Sequence, residues 1–325
     1  MKSNVWLKNF AAGRKALGKR ILVYGGTAIA VCEFVQMLAG AVQKPLDISL
    51  GEGKAEIPFY DVISSSAMVV PCLLVALILA FAAQSGYSSY SRRISGTDIE
   101  IGVEVGEIFK CRGNIVVPCN NLFAYDDEII GSTSIQHQLN ERCTTKTRSG
   151  SDIIGEQIEK ALADESIACS ALPNVTQELC GRQYKIYPFG TIVPIRVKLG
   201  KKERDFSFVA MSEILDAGKP GVDNKVLLSS IDNMWEQIKR DKIAGDTLVI
   251  PIMGTGAAGM VEKPKQVISR YIIKTFADDA QKLHIRKLVL CVYPRDYLED
   301  KVDMEKLRKY IDYLCEFPDS EFAVE

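Results

Sequence analysis

TLVIPIMGTGAAGM, residues 247–260, indicates the fold more directly than any other stretch of the chain. The apolar segment TLVIPIM (247–253) predicts a strand, a glycine-rich turn follows it, and a helix is predicted over 265–281. Short strands that are apolar throughout are typical of parallel sheets, because helices cover both faces of such a sheet. The stretch therefore indicates one strand–turn–helix unit of a larger α/β domain.

The same alternation of strands and helices runs through residues 99–325. Strands are predicted at 99–105, 114–119, 185–197, 206–211, 247–253 and 287–293, and helices at 152–164, 223–239, 265–281 and 304–315. This order predicts an α/β fold with a mixed, largely parallel sheet. Ligands of such sheets bind beyond the carboxyl ends of the strands, so the loops that follow strands are the first candidates for function.

The glycine turn is a candidate phosphate site. Gly254, Gly256 and Gly259 match the pattern GxGxxG, whose backbone N–H groups can face a phosphate at a helix N-terminus. No Lys-Ser or Lys-Thr pair follows Gly259, which excludes the P-loop of nucleotide-hydrolysing proteins. A dehydrogenase fingerprint is badly placed, because the turn comes late in the domain and the acid expected about 20 residues further on is missing. A tight turn without a ligand is the alternative.

Two further segments follow predicted strands. In VGEIFKCRGNIVVPCNN (105–121), Glu107 could accept a hydrogen bond from an adenine amino group, and an Asn at the strand end could bond ribose hydroxyls. In the loop 122–134, hydroxyl side chains precede an apparent helix and could hold a second phosphate. Taken alone, each feature is more often a surface acid, a turn Asn or a helix cap.

Two apolar runs precede this domain. Residues 21–42 contain one acid and no basic residue, and at about 1.5 Å per residue they span the roughly 30 Å of a bilayer core. A second apolar run covers 66–83, so two transmembrane helices are predicted. Basic residues gather before the first run and directly after the second, which predicts that both termini are cytoplasmic. A cleaved signal peptide with an A-x-A-like site at 39–41 is the alternative.

The predicted organisation has four parts. They are a basic cytoplasmic N-terminus (1–20), the two membrane helices (21–84), a polar linker (85–98) and the α/β domain (99–325). On the first predicted span, helical spacing places one stripe of small and polar residues, namely Gly26, Glu33, Gln36 and Gly40. Such a stripe favours helix association in lipid, either with another copy of the chain or with the second span of the same chain.

Composition excludes several classes of function. The 325 residues carry a net charge of -1, which disfavours nucleic-acid binding. Nine cysteines form no CxxC pair and there are two histidines, so no metal site is predicted. His137 and His284 lie in no arrangement typical of catalysis, so no catalytic residue is predicted.

Taken in order, five motifs resemble those of a macro domain. They are VEVGEIF (103–109), VPCNN (117–121), IIGSTS (129–134), IPIMGTGAAG (250–259) and LVLCVYPRDY (288–297). Together with the two apolar runs, they make the whole chain similar to the membrane-anchored macro-domain effectors of type II Thoeris antiviral systems in bacteria. The resemblance implies a macro-like α/β/α domain that acts as a sensor and not as an enzyme, and that needs no cofactor.

The resemblance also implies partners and a place in the cell. In that family, a TIR-domain enzyme consumes NAD on infection and makes a histidine–ADP-ribose conjugate, which the macro domain binds. The transmembrane part then disrupts the bacterial inner membrane and stops the infected cell. The implied partners are therefore this nucleotide signal, the lipid bilayer, the TIR-domain enzyme and, on activation, further copies of the chain.

Carried over motif by motif, the resemblance implies the ligand contacts. Glu107 and Ile108 would contact adenine, and Asn120 would face the distal ribose. The two phosphates would be held by Ser132, Thr133 and Ser134 on one side and by Met253, Gly254, Thr255, Gly256, Ala257, Ala258 and Gly259 on the other. Tyr293 and Asp296 would flank the adenosine.

The chain also departs from the macro-domain pattern. The usual Asn-Ala-Ala-Asn becomes Pro118-Cys119-Asn120-Asn121, Glu107 replaces an Asp, and the Gly-Gly-Gly loop of ADP-ribosyl hydrolases is absent. These departures favour binding over hydrolysis. The main alternative is a membrane-tethered ADP-ribosyl hydrolase that uses Asn120 and Asp127, and a weaker one is an NAD(P)-linked oxidoreductase. Residues 165–221 are a candidate insertion that shapes a ligand-specific pocket.

Overall fold

An eight-stranded sheet lies at the centre of the described chain beyond residue 88. The structure is a computed structural model, and it describes residues 26, 45–50, 53–58, 74–75, 89–214, 220–221, 224–241, 245–253, 264–299 and 301–318. The chain divides into two compact units. The first is Met1–Ser88 with Leu298–Asp300, and the second is Ser89–Tyr297 with Lys301–Glu325, which holds the whole sheet.

The described strands and helices follow one another in this order. The strands are β1 Pro45–Leu50, β2 Gly53–Pro58, β3 Ser89–Arg93, β4 Glu100–Val105, β5 Asn114–Asn120, β6 Thr176–Leu179, β7 Arg182–Lys185, β8 Ile192–Leu199, β9 Lys202–Ile214, β10 Pro220–Gly221, β11 Thr247–Pro251 and β12 Lys287–Val292. The α-helices are α1 Ile135–Cys143, α2 Gly150–Leu162, α3 Glu165–Ala168, α4 Asn224–Asp241, α5 Lys265–Asp279, α6 Pro294–Leu298 and α7 Met304–Glu316. Two short 3₁₀ helices cover Ile108–Lys110 and Ala280–Lys282.

The sheet is mixed and largely parallel, as predicted. Its order is β10-β9-β5-β11-β12-β4-β3, and β8 also pairs with β9. The five central strands β9, β5, β11, β12 and β4 are parallel to one another. The edge strands β3, β8 and β10 are antiparallel. The carboxyl ends of the five central strands therefore meet at one edge of the sheet.

Helices cover both faces of this sheet. Leu248 and Ile250 of β11 belong to one buried cluster together with Trp235 of α4, and helices α5 and α7 complete it. Val249, between them, belongs to a second cluster together with Ile154 of α2. Successive side chains of a strand point to opposite faces, so a strand that is apolar throughout is buried on both sides. The predicted α/β/α layering is confirmed.

The prediction of a single strand over 185–197 is wrong. β7 ends at Lys185 and β8 begins at Ile192. Between them Gly190 adopts a φ of 89°, and the N–H of Thr191 bonds the carbonyl of Pro188 at 3.1 Å. This hydrogen bond marks a turn that interrupts the predicted strand at Gly190 and Thr191.

Part of the segment predicted to be a polar linker over 85–98 lies in the sheet. Ser89–Arg93 forms the edge strand β3, with Ser89 opposite Glu104 of β4. Helix α7 holds this strand, because Tyr90 and Arg92 both donate hydrogen bonds to Asp312, the latter at 2.8 Å. The second unit therefore begins ten residues before the predicted boundary at residue 99.

In the first unit, the structure describes a short hairpin. β1 and β2 pair antiparallel, with Pro45 opposite Pro58. The predicted spans 21–42 and 66–83 lie outside the described residues, apart from helical positions at Gly26 and at 74–75. Within the ranges that the structure describes, no helix has the length and apolar character needed to cross a bilayer. The two membrane helices stay a prediction.

Candidate ligand-binding site

The segments predicted to bind a ligand begin at the ends of four neighbouring strands, and these strand ends share one edge of the sheet. The turn at Gly106 follows β4, the segment from Asn120 ends β5, Met253 follows β11 and Tyr293 follows β12. The turn is fixed to the neighbouring strand, because the N–H of Gly106 bonds the carbonyl of Val292 at 3.0 Å. We refer to these loops, together with the start of α1, as the carboxyl edge.

The turn after β4 presents the predicted adenine contacts. Ile108 is buried, and Glu107 is the residue that precedes the 3₁₀ helix. The carboxylate of Glu107 forms ion pairs with Arg142 of α1 and with Lys110, the latter at 3.0 Å. The guanidinium carbon of Arg142 also lies 4.6 Å from the ring centroid of Phe109. Sequence reasoning missed Arg142, because it lies on a separate helix 35 residues further along the chain.

The two asparagines at the end of β5 have different surroundings. Oδ1 of Asn120 accepts hydrogen bonds from the N–H groups of Leu122 and Ala124 at 3.1 and 3.0 Å, and its Nδ2 donates to the carbonyl of Ala124 at 3.3 Å. Both ends of this amide are therefore used to form the turn. Oδ1 of Asn121 is buried and has no hydrogen-bond partner among the described residues. Asn121, which was not predicted from the sequence, is therefore a candidate ligand contact.

The loop 122–134 leads into helix α1. Oγ of Ser134 accepts a hydrogen bond from the N–H of His137 at 3.0 Å, which is ordinary N-capping. The side chains of Ser132 and Thr133 are exposed just before the helix. Asp127 accepts a hydrogen bond from Nδ2 of Asn140 at 2.9 Å and is therefore held against the same helix. The predicted phosphate contacts of Ser132–Ser134 stay a prediction.

The loop after β5 is also tied to the candidate insertion. The hydroxyl of Tyr125 donates to Glu159 of α2 and accepts a hydrogen bond from Arg182 of β7 at 3.0 Å. The hydroxyl of Tyr184, also in β7, donates to Asp126 at 2.9 Å. Burial, followed by these acidic partners, raises the pKa of both tyrosines to about 12. The hairpin β6–β7 is therefore fastened to the loop that borders the carboxyl edge.

The remaining predicted contacts lie after β11 and β12. Met253 is buried in the core, and residues 254–259 lie outside the described residues, so the phosphate role of the glycine turn stays a prediction. Tyr293 exposes 56% of its surface. Asp296 is buried and forms an ion pair of 2.6 Å with Lys265, the first residue of α5. The carboxylate of Asp296 therefore links the start of α6 to the start of α5. The adenosine contacts of Tyr293 and Asp296 stay a prediction.

The proposed membrane stripe is described at one position. Gly26 is helical and exposed, and a Cβ added there would meet nothing within 4 Å. Glu33, Gln36 and Gly40 lie outside the described residues. The association face stays a prediction.

Comparison with known families identifies the family of the chain. The family model "Thoeris protein ThsA, Macro domain" matches residues 101–293, which is more than half of the chain. The chain belongs to the ThsA macro-domain family. No curated protein matches it. The matched range of this macro domain contains the turn after β4, both asparagines, the start of α1 and the glycine turn.

Solved structures give a more distant likeness. The Oceanobacillus iheyensis macrodomain with MES bound is 15% identical and has a TM-score of 0.42, and the alignment covers 69% of this chain and 99% of that chain. The same macrodomain with ADP is 14% identical and has a TM-score of 0.39, with 68% and 98% covered. The family assignment rests on the family model alone.

Proposed function

We propose that the carboxyl edge of this macro domain binds a small molecule derived from ADP-ribose. The observation that carries the proposal is the match of residues 101–293 to the ThsA macro-domain family. The fold supports it, because four neighbouring strands from separate parts of the chain end together at the edge where ligands of parallel sheets bind.

The chemistry of the carboxyl edge fits the parts of such a ligand. Glu107 supplies carboxylate acceptors for an adenine amino group. Oδ1 of Asn121, which has no partner among the described residues, can accept from a ribose hydroxyl. The first N–H groups of α1 and the exposed hydroxyls at 132–133 can face a phosphate. The glycines at 254–259 would supply the second phosphate contact.

The family assignment supports a proposal for the cellular role. We propose that the chain is a sensor and effector of Thoeris antiviral defence, with no cofactor of its own. Its signal would be a histidine–ADP-ribose-like conjugate made by a partner TIR-domain enzyme. The chain would lie in the bacterial inner membrane with both termini on the cytoplasmic side. Binding would change how its two transmembrane helices associate with those of further copies of the chain. Disruption of that membrane would then stop the infected cell.

Calorimetry of the full-length chain tests the binding proposal. ADP-ribose and histidine–ADP-ribose are titrated, and the Asn121→Ala variant is compared with Asn233→Ala, a change on α4 that lies outside the carboxyl edge. Binding by the wild type and by Asn233→Ala, with weaker binding by Asn121→Ala, is expected. Absence of heat with every ADP-ribose compound would contradict the proposal.

The hydrolase alternative predicts turnover. The contacts of its two proposed catalytic groups favour binding instead, since Asn120 is used within its own loop and Asp127 is held by Asn140. Incubation of the full-length chain with an ADP-ribosylated peptide distinguishes the two functions. Release of free ADP-ribose above the level of an Asp127→Ala control would make the protein an enzyme.

A further inference from the structure

Arg142 of helix α1 reaches across to the turn after β4. Its guanidinium forms an ion pair with Glu107 and lies over the ring of Phe109, with 4.6 Å between the guanidinium carbon and the ring centroid. Phe109 is itself buried in the core, so this ring is a fixed platform. An arginine held by both a carboxylate and an aromatic face has little freedom left, which fixes the carboxylate in turn.

The pairing leaves Glu107 able to accept further hydrogen bonds. An ionised carboxylate offers about four lone-pair sites. Arg142 reaches Oε1, and Lys110 reaches Oε2 at 3.0 Å. Counted over the described residues, two sites therefore remain for N–H donors from outside the protein, and Arg142 orients the carboxylate without blocking it.

Lys110 cannot take the place of Arg142. Its side chain is 77% exposed, and it belongs to the same turn as Glu107. Exposed ion pairs contribute little, because solvent screens them and long side chains lose freedom when they form. The side chain of Arg142 is 40% exposed and is therefore the more desolvated of the two cations, and this partial burial lowers its pKa.

We infer that Arg142 is a positioning residue that aims the Glu107 carboxylate at the amino group of a 6-aminopurine, and that it thereby sets the base specificity of the carboxyl edge. The inference rests on the proposed function, since it assumes an adenine nucleotide at this site. The inference adds that discrimination between purines depends on Arg142, which lies near the end of α1. The start of the same helix borders the proposed phosphate contacts.

The experiment compares two ligands that differ at one position of the base. Full-length wild type, Arg142→Met, Arg142→Lys and Glu107→Gln are titrated with ADP-ribose and with inosine diphosphate ribose, in which a 6-oxo group replaces the 6-amino group. Arg148→Met is the matched control, because Arg148 forms an exposed pair with Glu156 outside the site. Circular dichroism verifies that each variant is folded.

Wild type is expected to prefer ADP-ribose by about tenfold or more, the size of one hydrogen bond to a charged group. Arg142→Met should lose most of that preference. Its affinity for ADP-ribose should fall about tenfold, and its affinity for the inosine compound should change less than about threefold. Arg142→Lys should restore part of it, because the charge is kept and the stacking is lost. Arg148→Met should behave as wild type.

Other outcomes overturn the inference. Unchanged preference in Arg142→Met, with wild type still binding ADP-ribose, would refute the role of Arg142 and leave the proposed function standing. Tighter binding of ADP-ribose by Arg142→Met would mean that the arginine competes with the ligand. If Arg142→Met does not fold, full preference in Arg142→Lys would equally refute the inference. If wild type binds neither compound, the proposed function fails as well.

Discussion

Replacement of Asn120 by alanine should destabilise the protein far more than replacement of Asn121. The side chain of Asn120 accepts hydrogen bonds from the N–H groups of Leu122 and Ala124. Those residues are 1% and 0% exposed, so water does not reach their N–H groups in the wild type. The turn also contains Phe123 at a φ of 51°, a left-handed conformation that a non-glycine residue adopts at some cost.

The magnitude follows from the groups left without partners. In Asn120→Ala two buried backbone donors lose their acceptor, and each such donor costs about 1–3 kcal/mol. Water that enters the space left by the amide will recover part of this, so the expected loss is about 2–4 kcal/mol. Asn121→Ala removes an oxygen that has no partner in the described chain, and the expected loss is below about 1 kcal/mol.

Urea unfolding of the full-length chain measures both changes. Trp235 is buried in the same unit and reports on it by fluorescence, with Trp6 replaced by Phe to remove the second indole. A loss of about 3 kcal/mol lowers the urea midpoint by roughly 1 M or more. Calorimetry with ADP-ribose then separates stability from binding, since Asn121→Ala should bind more weakly while it unfolds at nearly the wild-type midpoint.

One result would refute this reasoning. If Asn120→Ala unfolds at the wild-type midpoint but no longer binds ADP-ribose, the amide of Asn120 is free to meet the ligand. The hydrogen bonds assigned to its turn would then not form in solution, and the ribose contact expected from the sequence would stand.

Three further predictions concern the supports of the site. A Cβ at Gly155 would lie 2.2 Å from Cε2 of Tyr125, so Gly155→Ala should lower the free energy of unfolding by about 1–3 kcal/mol in urea. Lys265→Met leaves the buried carboxylate of Asp296 without its cation and should cost about 3 kcal/mol, against near-wild-type stability for the exposed Lys282→Met. The raised pKa of Tyr125, about 12 against an ordinary 10, stabilises the fold below pH 10, and this contribution disappears as the pH rises towards 12. Tyr125→Phe should therefore lose less stability than wild type between pH 10 and pH 12.

The central sheet could be predicted because its strands bury both faces. The runs LVIP in β11, IVVPC in β5 and LVLCV in β12 are apolar at consecutive positions, a pattern typical of strands that helices cover on both sides. The order of the motifs was sufficient to indicate the family. It also placed the candidate loops at one edge, because parallel strands share a direction.

Other features depend on contacts between distant residues. The ion pair of Arg142 with Glu107 requires α1 to lie across the turn after β4, and nothing near either residue in the sequence indicates that. The sequence SYSRR of β3 has no apolar period, because a strand at a sheet edge is half exposed and packs partly through polar groups. The different roles of Asn120 and Asn121 depend on which amide faces the turn, and adjacent identical residues give no means to distinguish them.

The edge strand β3 limits how the second unit can be isolated. A fragment begun at residue 99 would remove β3 and leave the outer N–H and C=O groups of β4 unpaired, which invites aggregation by strand addition. It would also deprive Asp312 of both Tyr90 and Arg92. If such a fragment failed to bind a nucleotide, the loss of β3 would explain the failure, and nothing would follow about the full-length protein. A fragment that retains residue 89 and some chain before it keeps β3 paired with β4.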